Sequence, residues 1–174
     1  MTKITLEGLP VISVETKNTV LQESAREPEA TNRYVKRFRQ ENPHLHDALR
    51  LSFKLLNYSP DLIQGASEEL AFSYEFLARE LENNYPTRRL PLVDISTGLE
   101  ECAIASRNLD YNEEVNKRLE KENPIFVTNL QTMMRVWVET AEWPKDFCTD
   151  LIQQHWYMYE LLRRQSAKNM AESN

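Results

Sequence analysis

The chain has 174 residues, a net charge of −6, 41% apolar and 28% charged residues, three glycines and two cysteines. This composition excludes a disordered chain. The negative charge works against a general affinity for nucleic acid or anionic membrane, and no apolar run approaches the roughly 20 residues of a membrane span.

So few glycines point to helices joined by short proline-marked turns, because a β-rich chain needs more residues at positive φ. Cys102 and Cys148 lack a CxxC spacing, and the N-terminus lacks a basic region followed by an apolar one. Two reduced thiols in a cytoplasmic protein are therefore expected, in the host cytoplasm if the protein is viral.

Along residues 1–15, Ile4, Leu6, Leu9, Val11 and Val14 alternate loosely and predict an extended arm, with 1–8 as its free end. Thr16 is expected to open a first helix, interrupted at Pro28. A second helix over about 30–41 ends at Glu41-Asn42-Pro43. There Pro43 fits the first turn of the next helix and Asn42 its N-cap. Leu45, Leu49, Phe53 and Leu56 give a third, amphipathic helix. After the turn Tyr58-Ser59-Pro60-Asp61, a fourth helix runs through Leu62, Ala66, Leu70, Tyr74, Leu77 and Leu81.

The series then returns. Lys36-Arg37-Phe38-Arg39-Gln40-Glu41-Asn42-Pro43 recurs as Lys117-Arg118-Leu119-Glu120-Lys121-Glu122-Asn123-Pro124, an offset of 81 residues from Glu41 to Glu122. Leu9-Pro10-Val11-Ile12 falls on Leu90-Pro91-Leu92-Val93 at the same offset. Beyond a four-residue insertion, Tyr74-Glu75-Phe76-Leu77 falls on Tyr159-Glu160-Leu161-Leu162, and Arg79 on Arg164.

Thr97-Gly98-Leu99-Glu100 has the form of a capping box opening a helix through Cys102, Ala103 and Ser106. Glu113 with Lys117, and Glu114 with Arg118, are spaced as i,i+4 pairs. Phe126, Leu130, Met133, Trp137 and Ala141 form the second amphipath; Phe147, Leu151, His155, Met158, Tyr159 and Leu162 form the last helix. Residues 166–174 are polar and are expected to fray.

The expected architecture is therefore all-α: one domain over 1–174 built by tandem duplication, with repeat 1 at about 9–88 and repeat 2 at about 90–170. Each repeat supplies an antiparallel hairpin to a pseudo-two-fold four-helix core flanked by short helices.

Few residues suggest chemistry. Glu41-x-x-His44 and His46 have metal-like spacing, but Pro43 breaks the helix between them, and the second copy has no histidine there. His155 aligns with Leu70 and reads as a core histidine. Cys148 is two helical turns from it, too far for a dyad. Glu68, Glu69 and Glu75 do not reproduce the Glu-x-x-Glu and Glu-x-x-Asp pairs with which all-α nucleotide pyrophosphohydrolases hold Mg²⁺. No catalytic residue, metal site or cofactor is expected.

Two surfaces suggest partners. Trp156 and Tyr157 lie off the core stripe and, with Trp143, make an aromatic surface suited to a protein partner. Arg33, Lys36, Arg37 and Arg39, interleaved with Tyr34 and Phe38, make a basic helix face suited to nucleic acid.

The unit Leu90 to Gln165, with its Glu-Asn-Pro corner and Tyr-Glu-Leu-Leu-Arg-Arg-Gln helix, resembles short helical proteins of phage and prophage genomes. The resemblance implies single-unit relatives that dimerise, and here a fused monomeric pseudo-dimer or a homo-oligomer. It implies no activity. The reading that follows is a non-enzymatic helical protein that binds an unidentified protein as an adaptor or inhibitor. The alternatives are a nucleic-acid-associated protein using 33–39, then a small metal- or nucleotide-dependent enzyme.

Overall fold

In the computed structural model, residues 4–5, 8–93, 95 and 109–174 are described, with side chains omitted at 109–112. Seven α-helices account for most of them: α1 (Val14–Arg26), α2 (Ala30–Glu41), α3 (Pro43–Leu55), α4 (Pro60–Asn84), α5 (Leu109–Glu122), α6 (Pro124–Arg135) and α7 (Lys145–Ser173). The described residues contain no strand; Ile4 and Pro10 form one isolated bridge. The protein is all-α. The capping box at 97–100 and the helix through Cys102 lie outside the described residues.

Local chemistry explains most boundaries. Ser13, not Thr16, caps α1: its hydroxyl accepts the Thr16 N–H at 3.1 Å, so the helix starts two residues earlier than the pattern suggests. Pro43, Pro60 and Pro124 each sit in the first turn of a helix, where the missing N–H has no partner to lose. The α3–α4 hairpin turns through Asn57 at φ 61°, and the α6–α7 hairpin through Glu142 at φ 54°.

The four-residue insertion lies between these hairpins' equivalent positions. There α6 is continued by a π-helical turn, Val136–Thr140, so the helical run from Pro124 is longer than that from Pro43. Such wide turns are where extra residues enter a helix without breaking it.

One cluster of buried side chains runs through both halves, including Phe38, Leu49, Phe53, Tyr74 and Leu77 from the first and Leu119, Phe126, Trp137, Leu151 and Tyr159 from the second. Some expected core positions lie outside it. Leu56 is 54% exposed because α3 has ended, and Ala141 is exposed beyond the π turn. Over 166–174, where fraying is expected, α7 continues to Ser173, with Ser166 buried and 168–174 exposed. A Cβ on Gly8 would fall 2.8 Å from Ser166 Oγ and 2.4 Å from Met170 Sδ. The arm, turning there at φ 84°, therefore needs glycine to lie against α7.

The halves are fastened by a reciprocal exchange. Asn42 occupies the N-cap position of α3, but its side chain makes no cap bond. It donates to the Tyr74 hydroxyl at 3.1 Å and to the Pro91 carbonyl at 3.0 Å, and accepts the Val93 N–H at 2.9 Å. Asn123 makes the corresponding set: to the Tyr159 hydroxyl at 3.2 Å, to the Pro10 carbonyl at 2.9 Å, and from the Ile12 N–H at 2.9 Å. Each asparagine thus holds the arm that leads into the other half. It satisfies backbone groups that an extended segment buried at Leu9, Ile12, Leu90 and Val93 would otherwise leave without partners.

The same exchange recurs at the hairpin turns. Tyr58 donates to Asp150, and Trp143 covers Gly65, where a Cβ would lie 2.7 Å from its ring. The pair 58 and 150 becomes 143 and 65 when each number is moved to its counterpart at the 85-residue offset of Tyr74 and Tyr159.

Candidate functional site

Buried charge is the first place to look for chemistry, and at Glu75 and Glu160 it is met by arginines. Glu75, 2% exposed, meets Arg37 at 3.3 Å and Arg79 at 2.9 Å. Glu160 meets Arg118, Arg163 at 2.7 Å and Arg164 at 3.1 Å. Burial pushes the Glu75 carboxyl up against its arginines. At Glu160 the arginines, led by Arg163, prevail over burial and hold the carboxyl below its usual range. Glu23, bonded first to Arg79 and also to Arg33, is lowered to about 2. These are ion-pair clusters at helix seams.

They also revise two expectations. Arg118 turns to Glu160 and not along α5 to Glu114. Arg33 pairs with Glu23 and Glu27, and Arg37 with Glu41, Glu75 and Glu82. Of the four cations expected to face nucleic acid, Lys36 and Arg39 form no ion pair among the described residues, whereas Arg33 and Arg37 are engaged by carboxylates.

The histidines do not gather. His44 is exposed. His46 is 3% exposed, edge-on to Phe38, with Nδ1 3.2 Å from Asp47, and burial lowers its pKa. Among the described residues no three His, Cys, Asp or Glu side chains are placed to hold a metal ion. Cys148 is buried and its thiol raised by burial.

His155 is fully enclosed beside Trp137, with ring centroids 5.8 Å apart. Its Nδ1 lies 2.8 Å from the Leu151 carbonyl and Nε2 3.4 Å from the Glu69 carbonyl. Burial lowers it to about 4, so it is neutral at pH 7 with one ring N–H to donate. Across the same seam burial raises Glu69 to about 7.

The expected aromatic surface divides. Tyr157 is buried at 9% exposure, a correction to its placement off the core. Trp143 is spent on the interior, stacked on Trp137 at 6.2 Å and edge-on to Phe147 at 5.3 Å. Trp156 alone borders an opening, a groove of about 410 Å³ between α5, α6 and α7. Val127 and Leu130 form its buried floor; Met134, Ile152 and Trp156 are its half-buried walls; Glu113, Asn116 and Gln131 are its polar rim. Its volume lies within the roughly 300–1,000 Å³ of ligand-binding clefts.

Position-by-position comparison of the halves explains the groove. In the first half α2 packs along α4 more extensively than any other pair of helices. Tyr34 and Phe38 on α2 are buried, as are Ser67, Ala71 and Ala78 on α4; Tyr34 meets Phe72 edge-on at 5.6 Å and Phe38 stacks on Tyr74 at 4.4 Å. In the second half the bulk is inverted. Val115 and Leu119 replace the aromatics on α5, while Ile152, Trp156 and Arg163 replace Ser67, Ala71 and Ala78. Small residues let helices approach and large ones hold them apart. Among the described residues α5 touches α7 only sparsely, and the gap is the groove.

Comparison with protein-family models, with curated proteins and with solved structures returns no match. Fold and site define a class: an all-α protein of two interlocked helical hairpins, one of which carries an apolar groove. No helix among the described residues is long and apolar enough to cross a membrane.

Proposed function

We propose that the protein is a non-enzymatic binding protein, an adaptor or inhibitor of phage or mobile-element type, that takes an apolar segment of another protein into the groove beside Trp156. The observation that carries this reading is the groove itself. Its floor of Val127 and Leu130 and its wall of Met134, Ile152 and Trp156 stand open where the first half is closed by helix packing. Tryptophan and methionine in an apolar cleft are the residues that dominate partner recognition. We further propose that the halves descend from one duplicated unit, so that the second could open a binding face while the first kept the core intact.

Affinity capture on the whole chain tests the reading, comparing the natural protein with Gln131→Trp, which fills the rim from an exposed position. A stoichiometric protein retained by the first and lost by the second supports it. Equal recovery by both, or recovery by neither, ends it.

A further inference from the structure

We infer that the groove is built for one kind of occupant: a basic amphipathic helix that inserts two apolar side chains one turn apart. The inference rests on the groove being a protein-binding site and adds the chemistry of its partner.

Three observations support it. The first is length. The floor and wall contributed by α6 run from Val127 through Leu130 to Met134. Seven residues of helix extend roughly 10 Å, enough for side chains at i and i+4 of a partner helix, about 6 Å apart, and too short for a third. The second is shape. The groove lies between α5, α6 and α7, with no buried polar group among the residues that line it. Its floor and walls are apolar and its polar side chains stand only at the rim, so it can pair few of an extended segment's backbone N–H and C=O groups, whereas a helix arrives with those groups already satisfied.

The third is charge. On the α5 wall Glu113 lines the rim, and one and two turns along the same face come Asn116 and Glu120, joined by a 3.2 Å hydrogen bond. Neither Glu113 nor Glu120 forms an ion pair among the described residues, in contrast to Glu23, Glu75 and Glu160, which are held by arginines. Glu113 at the rim and Glu120 further along α5, both exposed and without an ion pair among the described residues, attract lysine or arginine flanking an apolar helix face. They repel an acidic partner. A second copy of this chain, itself carrying −6, is disfavoured on the same ground.

The test uses the whole protein and designed fluorescent peptides of about 16 residues, long enough to present two anchoring turns. One has leucines at i and i+4 with lysine flanks, one the same leucines with glutamate flanks, and one has lysine flanks with the leucines replaced by serine. The expected result is saturable binding of the first peptide, about tenfold weaker binding of the second at low salt, and a difference that shrinks near 0.5 M salt. The serine peptide does not bind, and Glu113→Lys with Glu120→Lys reverses the preference.

Equal binding of both leucine peptides, or no response to the charge reversal, overturns the basic partner while leaving the groove as a site. Binding of neither, or binding undiminished by Gln131→Trp, removes the groove reading itself. Association of the natural protein into dimers that Gln131→Trp disperses assigns the groove to a second copy and overturns the inference.

Discussion

The two halves of this molecule use the same skeleton with opposite distributions of bulk. In the first, large side chains sit on the short helix α2 and small ones on the long helix α4, and the two helices lie together. In the second, the large ones sit on α7, and among the described residues α5 approaches it closely at few places, Arg118 reaching Glu160. The comparison shows that a closed seam and an open groove can differ by a few exchanged side chains while the framework is kept. The kept parts are the asparagine corners, the Glu75 and Glu160 clusters and the left-handed turn residues.

The comparison can be broken most directly at Ala71. Replacing it with the residue at its counterpart, Ala71→Trp, puts an indole where exposure is 0% and α2 is close. Overpacking of that size is expected to destabilise by about 3 kcal/mol or more, read from urea unfolding. An unchanged midpoint would mean that side-chain bulk does not set the α2–α4 spacing.

The next effect belongs to His155, which stands where the first half has Leu70. Its pKa falls from 6.5 to about 4 on folding. As pH drops below about 6.5 the unfolded chain takes up a proton that the folded chain refuses. Stability therefore declines until about pH 4, by about 3 kcal/mol in total. In His155→Leu that part of the acid-side decline should vanish from unfolding curves recorded between pH 7 and 4.

Asn42→Ala and Asn123→Ala sharpen the comparison from the other side. Each removes bonds to an arm and leaves a buried carbonyl and N–H without partners, at a cost of about 2 kcal/mol. The correspondence between halves requires similar losses; a large loss at one and none at the other would break it.

The smallest effect is at Glu69, whose counterpart is Gln154. Its carboxyl is raised to about 7, so the folded state holds a proton that the unfolded chain releases, and stability declines as pH rises from about 4.5 to 7. Glu69→Gln should recover about 1 kcal/mol at pH 8, a value reduced for the side chain's partial exposure. Differential scanning calorimetry at pH 5 and pH 8 separates this from a uniform shift.

Much of the helical plan was legible because it is local. Prolines and apolar stripes place the starts of α3, α4 and α6 and both ends of α2 within a residue or two. The role of Asn42 and Asn123 was not legible. An asparagine before a proline reads as a cap, and nothing nearby in the chain announces that its amide is taken by a carbonyl and an N–H from the other half. Tyr157 was misplaced because α7 is enclosed on more sides than a two-faced helix pattern allows. The groove left a signal that helical periodicity passes over: Trp156 at the position matching Ala71, and Ile152 at that matching Ser67, are visible only when the two halves are aligned with each other.

The exchanged arms also govern the order in which the molecule can assemble. The bond from Ile12 to Asn123 spans 111 positions and that from Asn123 to Pro10 spans 113, whereas each hairpin closes within a short stretch of chain. Loop closure over such distances is slow, so the hairpins form early and the arms seat last. During synthesis the leading arm emerges long before its seat exists, and until then Leu9 and Ile12 are bare apolar surface that the nascent chain must carry unprotected.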